Sequence, residues 1–258
     1  MSVRINTNIE ALNAQRNLGI TGLQYSKSVE KLSSGLRINR AADDAAGLGI
    51  SETLRGQVKG LNQAVRNAQD GISMIQTGEG ALNEVHAMLQ RIRELAVQYN
   101  NGTNDTAAQA SISAEATSLQ TTMSAIGTNT KFNGVSLLTA NTITLQVGAN
   151  KNETQAVTTT ALTVSGAVVS DISTVDTAIA SVSAQRAAFG AAQNALEHTV
   201  ASLGVAAENF SASESRIRDL DVAAEMVNFT KTQIMQQAGT AILAQANQAP
   251  NSILSLLR

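Results

Sequence analysis

Cysteine and tryptophan are absent from this chain of 258 residues, proline occurs once, and phenylalanine and tyrosine together supply six positions. Without cysteine there is no disulfide and no thiolate-bound structural zinc. With aromatics at 2%, the large side chains on which compact cores lean are missing, so apolar area must be buried another way. Long helices packed through Ala, Leu, Ile and Val would meet that need. A formal net charge of -2 gives no global reason to bind nucleic acid or an anionic membrane. The first forty residues do hold Arg4, Arg16, Lys27, Lys31, Arg37 and Arg40 against Glu10 and Glu30. Beyond Tyr25 no aromatic interleaves with them as a stacking platform requires, so they read as a solvated helix face. No apolar run is long enough to span a bilayer, and MSVRINTNIEALNAQ lacks the apolar core of a cleaved secretion signal. A secreted product is therefore expected to use another route. The two histidines, His86 in EVHAM and His198 in LEHTV, belong to no HExxH pattern and read as structural or solvated.

What the chain does have is apolar residues at helical spacing almost throughout. Leu54, Val58, Leu61, Val65, Ala68, Ile72 and Ile75 recur at alternating intervals of four and three, skip at Gly78, and resume as Leu82, Val85, Leu89, Ile92 and Ala96. Asp43 and Asp44 suit the N-terminal end of this helix, where the peptide dipoles favour carboxylates. From Asp43 to Gln98 an uninterrupted helix would run roughly 84 Å at about 1.5 Å per residue, far more than a compact domain needs. YNNGTND (Tyr99 to Asp105) reads as a turn. A second stripe follows in Ile112, Ala116, Leu119, Met123 and Ile126. Gly47 and Gly49 in AAGLGI lack the third glycine and preceding strand of a dinucleotide-binding turn, so they read as a flexible connector ahead of the long helix.

From Thr139 to Ser170 the pattern changes, and the charged residues shrink to Lys151 and Glu153. Ile143, Leu145 and Val147 alternate with Thr142, Thr144 and Gln146, the period-two signature of a half-buried strand. GANKN (Gly148 to Asn152) offers a turn, and Leu162 and Val164 suggest a second strand. Heptads then return: Ile172, Val175, Ile179, Val182, Phe189, Leu196, Val200, Leu203, Ala207 and Phe210 keep one register, interrupted by Arg186 and Gln193. A last stripe runs Ile217, Leu220, Ala224, Val227, Ile234, Ala238 and Ala241, and Pro250 closes it before SILSLLR. Such sustained heptads predict left-handed coiled-coil packing. The expected fold is mainly α: long antiparallel helices from both chain ends packed as a coiled-coil-like bundle, with a small β-hairpin region in the middle. The outer stripes (Ile5, Ile9 and Leu12, with Tyr25, Val29 and Leu32, and the tail from Ile217) are thin for a free-standing hairpin. Helices draw most of their stability from tertiary packing, so both ends are expected to order against neighbouring copies.

Several long segments carry a family resemblance. EKLSSGLRINRAADDAAGLGISE (Glu30 to Glu52), the run from Asn67 to Gln98, KFNGVSLL (Lys131 to Leu138) and LQVGAN (Leu145 to Asn150) come first. SRIRDLDVAAEM (Ser215 to Met226) and QQAGTAILAQANQAPNSILSLLR (Gln236 to Arg258) follow. In this order, and over nearly the whole chain, they closely resemble the signatures of bacterial flagellins. The resemblance implies residues 1–42 and 214–258 as the two parts of an inner helical domain, the first with its connector. It assigns 43–138 and 171–213 to a surrounding helical domain and 139–170 to a small β-rich region. Many flagellins insert large outer domains in the middle, and this sequence departs from them, which implies a minimal subunit.

The function so implied is structural: an extracellular subunit that self-assembles into the flagellar filament for swimming, exported unfolded and polymerised at the filament tip, with no catalytic role, cofactor or metal. Leu32, Ile217, Leu220, Val227, Ile234, Ile253 and Leu256 are the candidates for inner-domain assembly. Ordinary intramolecular packing competes with that reading, because one stripe can serve both. The implied partners are copies of itself, the flagellar cap and hook–filament junction proteins, and an export chaperone on the C-terminal helix. In many flagellins the segment matching LQRIRELAVQ (Leu89 to Gln98) is recognised by Toll-like receptor 5. By that resemblance Gln90, Arg91, Leu95 and Glu115 are candidates for receptor recognition or for axial subunit contact. A hook–filament junction protein is the nearest alternative, and FNGVSLL, LQVGAN and the LAQANQAPNSILSLLR ending favour flagellin over it. An enzyme-bearing flagellin lacks the required HExxH and a long middle, and a cytoplasmic coiled-coil adaptor does not explain both terminal signatures.

Overall fold

The computed structural model describes residues 7–164 and 167–256, with side chains described as far as residue 248. Among these residues five helices and four strands follow in order: α1 (Ile9–Ser34), α2 (Ala45–Tyr99), α3 (Thr106–Asn129), β1 (Lys131–Phe132), β2 (Val135–Ser136), β3 (Asn141–Gln146), β4 (Thr154–Thr159), α4 (Ile172–Arg218) and α5 (Val222–Leu256). The fold is mainly α, as the periodicity predicts, and two small antiparallel strand pairs, β1–β2 and β3–β4, stand where one hairpin region is expected. The chain divides into two compact units. One draws on residues up to Arg55 and from Phe210 onward; the other is Gly56–Asn209, so the division falls inside α2 and α4.

In the unit Gly56–Asn209 the heptad stripes become the core. Leu82, Val85, Leu89 and Ile92 of α2 are buried with Ile112, Ala116 and Met123 of α3 and with Val175, Val182, Phe189 and Leu196 of α4. Met74 and Leu95 join them from a second row of α2, which gives this helix a wider apolar face than a two-row heptad seam. The gaps in the stripes have partners. A Cβ on Gly78 would come within 2.8 Å of Phe189 Cε2, so the ring of α4 fills the place where the α2 stripe skips. Leu145 of β3 lies against Gly71 in the same way. Glycine costs a helix interior about 1 kcal/mol relative to alanine, and here the missing side chain lets a large neighbour approach the α2 backbone.

At the interruption near Arg186, the inward position belongs to Gln185 instead. This buried side chain accepts hydrogen bonds from the Thr160 N–H at 3.2 Å and its hydroxyl at 2.7 Å, and donates to the Thr158 carbonyl at 3.3 Å. It thereby gives partners to the Thr160 N–H, just beyond the last paired residue of β4, and to the Thr158 carbonyl. Arg186 turns aside towards Glu79, 3.8 Å away.

The β region differs from the expectation in one strand. β3 carries the predicted alternation, with Ile143 and Leu145 half-buried between exposed neighbours. Its partner is Thr154–Thr159 rather than the stretch around Leu162 and Val164, which is irregular. The turn at Gly148–Asn152 returns the chain at once, so pairing starts directly after it. The inward side chains of β4 are Gln155, Val157 and Thr159, of which Val157 alone is apolar, too weak a pattern to read. The tight hairpin β1–β2 turns through Asn133 (φ 49°) and Gly134 (φ 83°). That Asn-Gly pair is a hairpin signal in its own right, since both positions need left-handed backbone.

Carboxylates mark the helix ends. Asp44 Oδ1 accepts the Gly47 N–H at 2.8 Å, Asp105 that of Ala108 at 2.7 Å, and Asp221 that of Ala224 at 3.0 Å. Asp43 accepts the backbone N–H groups of Arg40 and Asn39, which hold its pKa below the ordinary carboxylate value. Gly47 and Gly49 lie inside the first turns of α2 and are not a connector. A side chain on Gly47 would strike Asp44 and the buried Ile38. The last stripe is likewise broken: α4 ends at Arg218 and α5 starts at Val222. The break pairs with the segment after α1, through Arg37 N–H to Arg218 O at 2.7 Å and Leu220 N–H to Gly35 O at 3.0 Å. α5 itself runs through Pro250, where the sequence reading closes the stripe. A proline removes one N–H and strains a turn, which a helix of this length can absorb.

Candidate assembly interface

α1 and α5 lie antiparallel in the unit they share. Asn8 Nδ2 donates to the Ala246 carbonyl at 2.6 Å, Leu18 approaches Gly239, Tyr25 stacks on Phe229 with ring centroids 5.2 Å apart, and the Ser28 hydroxyl donates to Glu225 Oε1 at 2.5 Å. The seam is narrow and lined largely by small or hydroxyl-bearing side chains. Thr21, Ser28 and Thr232 are its buried members, and the threonine hydroxyls bond back to carbonyls of their own helices. Hydroxyls satisfied in this way cost little to bury but contribute little apolar area.

The large apolar side chains stand on the other faces. Ile9, Leu12, Ile20 and Leu23 are exposed along α1. On α5 three rows are exposed: Val222 with Met226, Val227 with Ile234, and Met235 with Ile242. At 3.6 residues per turn these rows cover the sides of α5 that α1 leaves free. Small and polar inside with large and apolar outside reverses the pattern of a helix pair built to stand in water.

Of the seven assembly candidates, Leu32, Ile217 and Leu220 are half-buried within their own unit. Val227 and Ile234 are 67% and 64% exposed, in the row opposite α1. The side chains of Ile253 and Leu256 lie outside the described residues, as does Ile5. Of the outer residues of α1, Ile9 and Leu12 belong to the stripes expected to order against neighbouring copies, whereas Ile20 and Leu23, like the two exposed methionines of α5, have no such reading. The three-residue steps Ile9–Leu12 and Ile20–Leu23 signal the outer residues of α1, but spacing alone does not say which face of a helix stays uncovered. The break after α1 is held by polar contacts: Arg37 donates twice to the Ile217 carbonyl, at 2.5 and 3.1 Å, and Arg218 pairs with Glu52 at 2.7 Å.

The N-terminal helical region of bacterial flagellin matches residues 5–142, and the C-terminal helical region of bacterial flagellin matches residues 172–257. The chain belongs to the bacterial flagellin family. Flagellin of Halalkalibacterium halodurans is 50% identical across 98% of this chain and 99% of its own length. The flagellar filament 33 kDa core protein of Treponema phagedenis is 46% identical across 98% and 99%, and flagellin of Bacillus subtilis 44% across 99% and 100%. A crystal structure of Bacillus cereus flagellin, 30% identical, superposes with a TM-score of 0.50 over 54% of this chain and 88% of that one. As a flagellin this one is small, with only residues 143–171 between the two matched regions.

The second set of flagellin candidates lies in the unit Gly56–Asn209. Arg91 of α2 pairs with Glu94 at 3.0 Å and with Glu115 of α3 at 2.9 Å, and these carboxylates raise its pKa. Each partner is about half exposed or more, so the pairing contributes little to stability. Gln90 is exposed beside them, its amide 3.0 Å from His86 Nε2. Leu95 is corrected: it is 1% exposed, packed in the second inward row of α2, and cannot serve as a surface anchor. The exposed apolar side chain of this stretch is Val97. An open groove beside it is lined by His86, Arg93, Val97, Asp176 and Ile179, with Arg93 bonded to Asp176 at 2.6 Å. Among the described residues no helix is long and apolar enough to cross a membrane.

Proposed function

We propose that this chain is a structural, non-catalytic subunit of the bacterial flagellar filament, and that α1 and α5 complete their burial only against neighbouring copies. The observation that supports this reading is the apolar surface on three sides of α5, which only further protein can cover. Each large apolar side chain moved out of water contributes about 1.5–3 kcal/mol. The rows on α5 and the outer residues of α1 therefore hold enough apolar area to drive association. Ordering of the terminal helices is then coupled to polymerisation. In this reading the chain is exported unfolded by the flagellar type III apparatus, with a cytoplasmic chaperone shielding the C-terminal helix. It is added at the distal tip under the cap, and the filament base meets the hook–filament junction proteins outside the cell.

Seeded growth on short filament fragments, imaged by electron microscopy, tests the proposal. The intact chain is expected to extend the seeds into long filaments, and a chain ending at Glu214 to add nothing. An intact chain that stays monomeric beside competent seeds would overturn the filament reading in favour of the junction protein.

We further infer that the surface carrying Gln90, Arg91 and Glu115 is the one that Toll-like receptor 5 would engage on the monomer, and that axial neighbours cover it in the filament. Charged pairs at a rim set orientation more than affinity. Arg91→Ala is expected to lower receptor signalling by the monomer several-fold while its melting temperature is nearly unchanged, because the ion pairs it loses are solvent-exposed. Unchanged signalling removes the assignment.

A further inference from the structure

Among the described residues the methionines fall into two sets. Met74 and Met123 are buried in the core of Gly56–Asn209, and Met88 is half-buried. Met226 and Met235 are 44% and 45% exposed, one in each outer row of α5. Met226 follows Val222 by one turn and precedes Val227; Met235 follows Ile234 and precedes Ile242 by two turns. Both thioethers therefore lie within the apolar surface argued above to be covered on assembly, and both are open to solvent while the chain is free.

We propose that Met226 and Met235 are an oxidation-sensitive pair through which peroxides stop free subunits from joining a filament. The proposal rests on the filament reading. The chemistry needs only a hydroperoxide. With hydrogen peroxide, a lone pair on the methionine sulfur attacks one peroxide oxygen and the O–O bond breaks; the proton on the attacked oxygen passes to the departing hydroxide, which leaves as water. Sulfur gives up two electrons and gains an S–O bond, and the peroxide is reduced. The sulfoxide turns a flexible apolar side chain into a polar one with a strong acceptor oxygen. On the free helix that oxygen is solvated at no cost. Inside an apolar contact it loses its water without gaining a donor, which opposes burial. The two residues bracket the Val227–Ile234 row, so an oxygen on either one disturbs the edge of the same contact. A subunit already in the filament has both sulfurs covered, so the block acts on incoming subunits rather than on grown filament.

The test begins with free chain exposed to hydrogen peroxide at neutral pH and sampled by peptide mass spectrometry. Met226 and Met235 are expected to gain oxygen at least about fivefold faster than Met74 and Met123, following their exposure. Chain sampled when only these two are oxidised is expected to extend seeds about tenfold more slowly or worse, and a mixture of the two methionine sulfoxide reductases to restore growth. The variant carrying Met226→Leu and Met235→Leu should keep its growth rate through the same peroxide treatment. Equal oxidation of exposed and buried methionines overturns the proposal, as does growth of the oxidised chain at the untreated rate. Should the leucine variant fail to grow even without peroxide, the reductase arm decides: restored growth supports the pair as the cause, and unrestored growth overturns it. Untreated chain that never extends competent seeds overturns the filament reading itself, a result distinct from oxidised chain growing normally.

Discussion

Replacing Val227 and Ile234 together by aspartate is expected to abolish seeded growth while leaving the unit Gly56–Asn209 folded. Neither side chain supports the fold of its own chain: both stand exposed on α5, on the face turned from α1. In the free subunit the change therefore costs only the small difference in helix propensity between aspartate and valine or isoleucine, about 0.3 kcal/mol or less per position. In a contact that covers this row, two carboxylates would lose water without a partner, and each such burial costs several kcal/mol. The critical concentration should rise more than about a hundredfold, since each factor of ten corresponds to about 1.4 kcal/mol. The far-UV circular dichroism of the free chain should be nearly unchanged. Growth at the unaltered critical concentration would show that this row stays in solvent in the polymer.

This expectation separates two meanings of an apolar stripe that the sequence alone runs together. Val175, Val182, Phe189 and Leu196 on α4, and Val227, Ile234, Ala238 and Ala241 on α5, show the same heptad spacing. The first set is buried in its own chain and the second is exposed. Periodicity reports that a helix has an apolar face, and nothing in the spacing states whether the cover comes from the same chain. What decides is the identity of the residues on the opposite face. On α5 these are Phe229, which stacks on Tyr25 of α1, Gly239, which Leu18 approaches, and the buried Thr232, a mixed set that does not register as an apolar stripe.

The same limit explains Leu95 and β4. Leu95 was legible as apolar, but its direction depends on α2 having two inward rows, which becomes visible only once α3 and α4 are both placed against it. β4 was hidden because its inward positions include the polar Gln155 and Thr159, the latter finding partners in the folded chain. The Thr159 hydroxyl, for example, donates to the Thr139 carbonyl at 2.6 Å. The long helices, the Asp44 cap and the alternation of β3 are readable because each rests on local chemistry.

Phe189→Ala is expected to destabilise the unit Gly56–Asn209 by about 3–5 kcal/mol, towards the upper end of that range. The ring is the largest fully buried side chain among the described residues, in a chain with few aromatics, and it fills the gap over Gly78, where α2 has no side chain to collapse into the void. For a unit of this size the melting temperature should fall by roughly 10 °C. The pairing with Gly78 makes a sharper test. Gly78→Ala alone should also destabilise, because the new Cβ would come 2.8 Å from Phe189 Cε2 and force the ring aside, outweighing the gain of about 1 kcal/mol in helix propensity. In the Phe189→Ala background the clash is gone. There Gly78→Ala should become stabilising, by its propensity together with the part of the void it fills. A reversal of sign between the two backgrounds, measured by urea unfolding, is the expected coupling of residues that share one space. Additive effects would mean that the ring does not occupy the gap in the α2 stripe.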